Sequence, residues 1–483
     1  MKQSIASDTI KLTTSKIITL TISMITAMLL SRFRTLEEYG TYSQILMVIQ
    51  LVTTFFMLGL PNSINYFLAK ADNDTERGKF ISTYYTLSTI LGFLIGLVLV
   101  LSTPLIIKFF DNPLIKNFWY VLAVYPWAKI ITSSIDNMLI VYKKTHILMI
   151  FRILNSIFIL SAVLIVQFLN LGFNEYMIIF VLGQAGFALI VYILAKKLSC
   201  EMQFKINKNL GKDIFSFSLP IGLGSFIGTL KTELDKITIS WFYNTEQLAI
   251  YTNAAREMPV TIIASSLTSV LLPQVVRLLK KEENEKAINL WGDATSLSYL
   301  IICFLAIGIF AYAPEALTLL YSEKYLPGVP VFRIYAIVLL FRCTYFGMML
   351  NASGNTKLIF KSTVISLTVD ISLNFILYYT IGFIGPALST LIATVVSASY
   401  LLIATSKVLN IPFRKVFPWK NILLITILNI CLGLIFTFIK KLLDLDLIVG
   451  GVSEALILAV IWFVVYFAIT FKFAKNKWKE LNE

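Results

Sequence analysis

Six basic side chains fall inside apolar stretches long enough to cross a membrane: Lys16, Lys129, Arg152, Arg256, Arg333 and Arg342. A cation at the bilayer centre costs about 2.5–3.5 kcal/mol on insertion scales, so a residue kept there usually has a task. Four acids lie at similar depth: Asp136, Glu233, Glu257 and Asp370. The chemistry open to these groups is anion binding by the cations, and Na⁺ or H⁺ coupling by the carboxylates. For Arg152, Arg333 and Arg342 the favoured reading is snorkelling or structural pairing. Lys129 and Asp136, seven residues apart on one helix face, are expected to compensate each other. Asp370 and Asn374 share a face. All four acids are ion-coupling candidates, with plain charge compensation the favoured alternative.

Lys16 is followed at helical spacing by Thr19, Ser23 and Thr26. That stripe keeps one face of the first helix polar across much of the membrane, which suits a water-filled cavity. Hydroxyl-mediated helix packing is the simpler reading. The seventh helix carries a similar stripe, Ser218, Ser225, Thr229, Thr232 and Lys236. In the eighth, Asn253 precedes Arg256 and Pro259 follows it. Proline frees a backbone carbonyl and bends a helix, so this segment reads as a gate. The candidate cavity set is Lys16, Thr19, Ser23, Thr26, Lys129, Lys236, Asn253 and Arg256.

These residues need helices to carry them. The chain has 483 residues, 57% hydrophobic and 14% charged, with a mean hydropathy of +0.80. That composition belongs to an all-α integral membrane protein. About fourteen apolar segments are predicted: 10–33, 40–69, 80–103, 116–142, 146–169, 174–196, 213–236, 246–279, 292–313, 328–352, 356–379, 383–406, 419–440 and 447–471. Lys and Arg concentrate in alternate connectors, roughly 26 on one side against about 9 on the other. By the positive-inside rule both termini are cytoplasmic. The formal charge of +14 is therefore mostly a topology signal. Anionic lipid headgroups of the bilayer, and no nucleic acid, are the partners it implies. The first apolar segment runs to Phe33 and reads as a retained span rather than a signal peptide.

An internal repeat organises the helices. Glu38-Tyr39-Gly40-Thr41-Tyr42 recurs as Gln247-Leu248-Ala249-Ile250-Tyr251. Pro61 before Lys70 recurs as Pro273 before Lys280 and Lys281, and Met138-Leu139 as Met349-Leu350. The expected division is a six-helix bundle over 1–208, a second over 209–408, and two further helices with a basic tail over 409–483. Parallel repeats of this kind enclose a central cavity that rocking can open to either side.

The run Ser31-Arg32-Phe33-Arg34-Thr35-Leu36-Glu37-Glu38-Tyr39-Gly40-Thr41-Tyr42 resembles the first outer turn of Wzx-type polysaccharide and O-antigen flippases. So do Gly59-Leu60-Pro61 at a break in the second helix and Gly382-Phe383-Ile384-Gly385-Pro386-Ala387 opening the twelfth. The resemblance covers nearly the whole length. It implies membership of the superfamily that includes multidrug-and-toxin exporters and lipid II flippases. It also implies a role: moving a polyprenyl-diphosphate-linked oligosaccharide to the outer leaflet of a bacterial cell membrane for polysaccharide or capsule assembly, beside assembly proteins. Lipid II flippases carry arginines on their first, second and eighth helices. Lys16 and Arg256 match two of those places, and the central part of the second helix here has no basic residue.

Alternatives from the same superfamily are a lipid II flippase and a cation or drug antiporter, the latter expected to have an acid-dominated cavity. A membrane glycosyltransferase or polymerase would need a catalytic constellation on a large outer loop. The outer connectors Tyr321–Pro327 and Ser240–Gln247 are short and hold none. Gly78-Lys79 precedes Phe80 and Gly211-Lys212 precedes Asp213, so neither is a phosphate-binding loop. The four cysteines are scattered and His146 stands alone, which predicts no metal site. No catalytic residue and no cofactor is expected beyond Na⁺ or H⁺.

Overall fold

The computed structural model describes residues 5–199, 202–256, 258–443 and 450–482. Glu257 and Cys200 lie outside the described residues. Among those described, regular structure is helical, with no strand. The first helices are α1 (Ile5–Phe33), α2 (Leu36–Met57), α3 (Leu60–Lys70), α4 (Asp74–Leu101), α5 (Thr103–Phe110), α6 (Trp119–Ser133) and α7 (Ile135–Val141). Then come α8 (Thr145–Phe168), α9 (Phe173–Leu198), α10 (Lys208–Phe242) and α11 (Thr245–Ala254). The rest of the chain gives α12 (Ile262–Lys280), α13 (Asn284–Ala311), α14 (Ala313–Tyr321), α15 (Val329–Leu340), α16 (Met348–Ala352), α17 (Thr356–Ile381) and α18 (Gly385–Leu409). A single turn, α19 (Phe413–Val416), leads to α20 (Trp419–Leu443) and α21 (Gly451–Asn482).

Eleven stretches of described residues are long and apolar enough to cross a membrane. One of them, Thr356–Leu409, contains both α17 and α18. The two remaining expected crossings, 116–142 and 328–352, are broken into shorter helices, which accounts for the fourteen read from the sequence.

The chain forms two compact units, Met1–Ala249 and Ile250–Glu483. In the first, α4 packs on α6, α1 on α8, and α6 on α9. Local sequence sets the boundaries. Thr35 caps α2: its hydroxyl accepts from the Glu38 amide at 3.1 Å, while the Glu38 carboxylate accepts from the Thr35 amide at 2.9 Å. Leu58 and Gly59 both take left-handed backbone conformations, φ 47° and 73°, and Pro61 then opens α3. The crossing is therefore broken at the expected Gly59-Leu60-Pro61. The tenth helix fills the break. A Cβ on Gly222 would sit 2.1 Å from the Leu58 carbonyl carbon, and one on Gly59 would sit 2.7 Å from the Gly222 nitrogen.

In the second unit, α17 and α18 form a tight antiparallel pair. Gly382, at φ 66°, ends α17, and Gly385-Pro386 opens α18. The last two helices pack on α13. Trp462, Tyr466, Leu458, Leu432 and Phe436 are buried there with Tyr299, Cys303 and Ala306. Cys303 and Cys343 are buried, while Cys431 is exposed.

Candidate functional site

Membrane-depth polar groups of the first unit meet in two places. Lys129 on α6 donates to the side-chain oxygen of Gln50 on α2 and lies 5.9 Å from the centre of the Tyr125 ring. Helix α10 carries Glu233 and Lys236. Glu233 pairs with Lys236 on the same helix at 2.6 Å. Their side chains keep 14% and 27% of their exposure, so the pair is half-buried with an open side. Gln50 donates in turn to Thr54, at 3.3 Å. Of the candidate sets, Glu233 and Lys236 thus meet each other on α10, and Lys129 meets Gln50.

The expected compensation between Lys129 and Asp136 is not realised. The crossing breaks at Ser134, so the seven-residue spacing no longer keeps one face. Asp136 on α7 instead accepts from Nε and Nη2 of Arg152 on α8, at 3.1 and 2.6 Å. The break is supported from outside its own helix. Tyr85 on α4 bonds the Ser134 hydroxyl at 2.9 Å, and Asn137 donates to the Pro61 carbonyl at 2.7 Å. Irregular backbone at membrane depth persists only where such partners replace the lost helical bonds.

Lys16 and Ser23 on α1 are exposed, Thr19 is half-buried and Thr26 is buried. Thr19 donates to the Lys16 carbonyl at 3.1 Å and Thr26 to that of Ile22 at 2.8 Å, so both hydroxyls are satisfied within their own helix. This stripe does not join the Lys129 cluster by any described contact.

In the second unit Arg256 is not within a continuous helix bent at Pro259. The eighth crossing is interrupted: α11 ends at Ala254, and the helix resumes with a 3₁₀ turn at Pro259–Thr261. Arg256 sits in the gap, its amide donating to the Asn253 carbonyl at 3.3 Å, and Asn253 is fully buried. The tenth crossing is also interrupted, between α15 and α16, and Arg342 sits in that gap. Both arginines line one cavity of about 30 Å³, with Tyr335, Thr261 and Phe332. Helix α13 supports the second gap: Ser298 donates to the Cys343 carbonyl, and Thr344 is held by Trp291 at 2.8 Å and Thr295 at 3.0 Å. Arg333, by contrast, is tied to Phe310, donating to its carbonyl at 3.2 Å and lying over its ring.

Asp370 and Asn374 are fully buried on α17. The Asp370 carboxylate accepts from Ser389 on α18 at 2.8 Å. Ser366 and Ser362 continue this polar seam, bonding the Ala393 carbonyl at 2.9 Å and Ser397 at 2.9 Å. Among the described residues no cluster has the make-up of a metal site.

Sequence reasoning missed Gln50 and the role of Arg342. Gln50 was visible only as an amide inside an apolar run. The gap at Arg342 has no proline; Thr344 and Gly347 are its faint traces.

The profile of the family described as polysaccharide biosynthesis protein matches residues 29–330. An uncharacterized membrane protein of Methanocaldococcus jannaschii is 25% identical over 447 residues, 86% of each chain. The teichuronic acid biosynthesis protein TuaB of Bacillus subtilis is 27% identical over 314 residues, 63% of this chain and 62% of that one. Among solved structures, the lipid II flippase MurJ in an inward closed conformation superposes with a TM-score of 0.72, at 18% identity, over 98% of this chain and 99% of that one. At that identity the likeness shows the fold.

Proposed function

Because this chain belongs to the polysaccharide biosynthesis protein family, with the fold of a lipid II flippase, we propose that it is a flippase for a polyprenyl-diphosphate-linked oligosaccharide. It moves the glycan from the cytoplasmic to the outer leaflet by alternating access through a basic cavity, and it acts as a transporter rather than an enzyme. One observation carries the reading: two crossings of the second unit are interrupted, each at an arginine, and Arg256 and Arg342 line the same cavity. Interrupted helices mark binding sites in transporters because their freed backbone and side chains face cargo instead of lipid.

A diphosphate head carries about two negative charges, and a cation at about 4 Å contributes about 4 kcal/mol per charge at an effective dielectric near 20. The cations offset dehydration of the head. Outward movement is also downhill by about 2.3 kcal/mol per charge per 100 mV when the cytoplasm is negative. Asp370, in its serine-lined seam, remains the candidate for Na⁺ or H⁺ coupling, beside Asp136, Glu233 and Glu257. The prenyl tail fits an apolar groove of about 180 Å³ along α13, α14 and α21, lined by Phe304, Gly308, Leu319, Leu456 and Trp462. The setting is a bacterial cell membrane with both termini cytoplasmic, next to polysaccharide assembly proteins.

A lipid II cargo is the second reading, favoured by the extent of the fold match. Against it, the middle of the second crossing offers the amide of Gln50 where a cation is expected.

The test is export. Arg256→Ala and Arg342→Ala should each reduce surface polysaccharide at unchanged protein abundance, by loss of about 1–3 kcal/mol of head binding. Arg256→Lys should restore it in part, since a point charge replaces a fork of donors. Normal polysaccharide in the double alanine variant, at wild-type abundance, overturns the basic-cavity reading.

A further inference from the structure

A polar cavity lies wholly within the first unit, where α3 ends and α4 and α10 begin. It holds about 530 Å³, inside the range of small-molecule clefts. Its wall carries both signs of charge: the ammonium groups of Lys70 and Lys79 and the carboxylates of Asp72, Glu76 and Asp213. Among the described residues none of these five is in an ion pair. Three carboxylates against two ammonium groups leave an excess of negative charge, which repels a diphosphate. A wall so polar also excludes a prenyl chain. Asn209 adds a neutral donor and acceptor, and Phe67, stacked on Phe80 at 5.7 Å, adds aromatic surface.

Hydrogen bonds hold the cavity in shape. The Gln203 and Asn207 amides donate to the Ser82 and Thr83 hydroxyls of α4, at 2.9 and 3.2 Å. Asn73 and Asn207 cap α4 and α10, accepting from the Glu76 and Leu210 amides at 2.8 and 3.2 Å. From Lys70 a polar face runs back along α3 toward the Gly59–Pro61 break. Asn62, Asn65, Tyr66 and Lys70 are exposed at helical spacing, while Leu60, Ile64 and Leu68 are buried. Tyr66 stacks on Phe217 of α10 at 4.7 Å, and Asn65 donates to Asn137 of α7 at 3.1 Å. Amides turned toward hydrocarbon would go unsatisfied, so this face looks onto water.

We propose that this cavity, with the α3 face behind it, is the sugar subsite of the cargo: it takes a neutral oligosaccharide by its hydroxyls and leaves the diphosphate to other groups. This rests on the flippase reading above. A hydroxyl both donates and accepts, so it can use carboxylates, ammonium groups and an amide side by side. Hydrogen bonds to the charged members are the stronger ones. Aromatic surface beside such groups suits a pyranose, which is apolar on its ring faces and polar at its rim. Phe67 supplies that surface inside the cavity, and Tyr66, 46% exposed, continues it along α3. Among the described residues the cavity of Arg256 and Arg342 is lined by no carboxylate. The two cavities thus differ as the two parts of the cargo differ, cations for the anion and a mixed wall for the polyol.

The experiment compares two lipids on the full chain: bare polyprenyl diphosphate, and polyprenyl-diphosphate-linked glycan extracted from cells that assemble it. Native mass spectrometry of the chain released from detergent micelles reads the occupancy of each. Wild type should hold the glycan-bearing lipid roughly tenfold more tightly than the bare one. Lys79→Ala combined with Asp213→Ala, both at exposed positions, should hold the two lipids alike. Asn209→Trp fills the cavity by bulk and should also erase the difference, which keeps the test decisive if the double variant does not fold. Equal affinities in wild type, or a preference that survives in the folded variants, overturn the sugar subsite and leave the flippase reading standing. A double variant that loses affinity for the bare lipid by the same factor also overturns it, because the cavity would then serve the diphosphate. A folded wild type that holds neither lipid overturns the subsite and the flippase reading together.

Discussion

Asp136 receives two donors of a single guanidinium, Nε and Nη2 of Arg152, at 3.1 and 2.6 Å. The fork ties the short α7, just past the Ser134 break, to the long α8. Arg152→Ala should lower stability by about 1–3 kcal/mol, since it strands a carboxylate at membrane depth. The reversed pair, Asp136→Arg with Arg152→Asp, should recover part of the loss. Thermal unfolding of the detergent-solubilised chain measures both. Additive losses in the reversed pair would show that the contact is incidental.

Helix α10 offers an internal control for the break in the second crossing. Gly222→Val should abolish the folded protein, because even a Cβ there would sit 2.1 Å from Leu58 backbone. Gly224→Ala, two residues on, meets nothing within 4 Å and should be tolerated. Fluorescence-detected size exclusion separates the outcomes.

The final two helices should prove structural as well as apolar. Trp462 is fully buried against α13, and its ring stacks with Phe436 at 5.7 Å between centroids. Trp462→Ala should cost about 3 kcal/mol. Lys440, which pairs with Glu315 on α14 and lies over the Tyr312 ring, pins the C-terminal end of α20. Lys440→Ala should lower the unfolding temperature further in combination with Trp462→Ala. If truncation after Val416 leaves a stable chain that still exports the lipid-linked sugar, the tail groove along α21 is excluded. A stable chain that has lost export supports it.

Sidedness can be checked directly. A periplasm-active reporter fused after Lys479 should be silent and one at Leu326 active, following the basic bias of the alternate connectors. The opposite pattern would reverse every assignment of inside and outside.

Local chemistry was readable in the chain, and distant pairing was not. The Thr35–Glu38 capping box, the Gly59–Pro61 break and the Gly385–Pro386 helix start are written in neighbouring residues. The helices themselves follow from apolar length. The Lys129–Asp136 expectation failed because it assumed an unbroken helix through Ser134, and a serine in an apolar run gives no such warning. Arg152 lies 16 residues from Asp136, and Gln50 lies 79 from Lys129. No helical period links either pair. Arg342 looked like one more interfacial arginine until the gap between α15 and α16 set it beside the cavity of Arg256.

The broken crossings at 116–142 and 328–352 also bear on how such a protein is mapped. A count of long unbroken apolar helices passes over both. Losing the first inverts every connector after it; losing the second restores the original sense. Both ends of the chain would look correct while every loop from Lys143 to Leu326 was assigned to the wrong face. An epitope or labelling cysteine placed by such a count in the Lys196–Lys212 connector would be sought on the opposite face of the membrane, and its silence would be mistaken for misfolding.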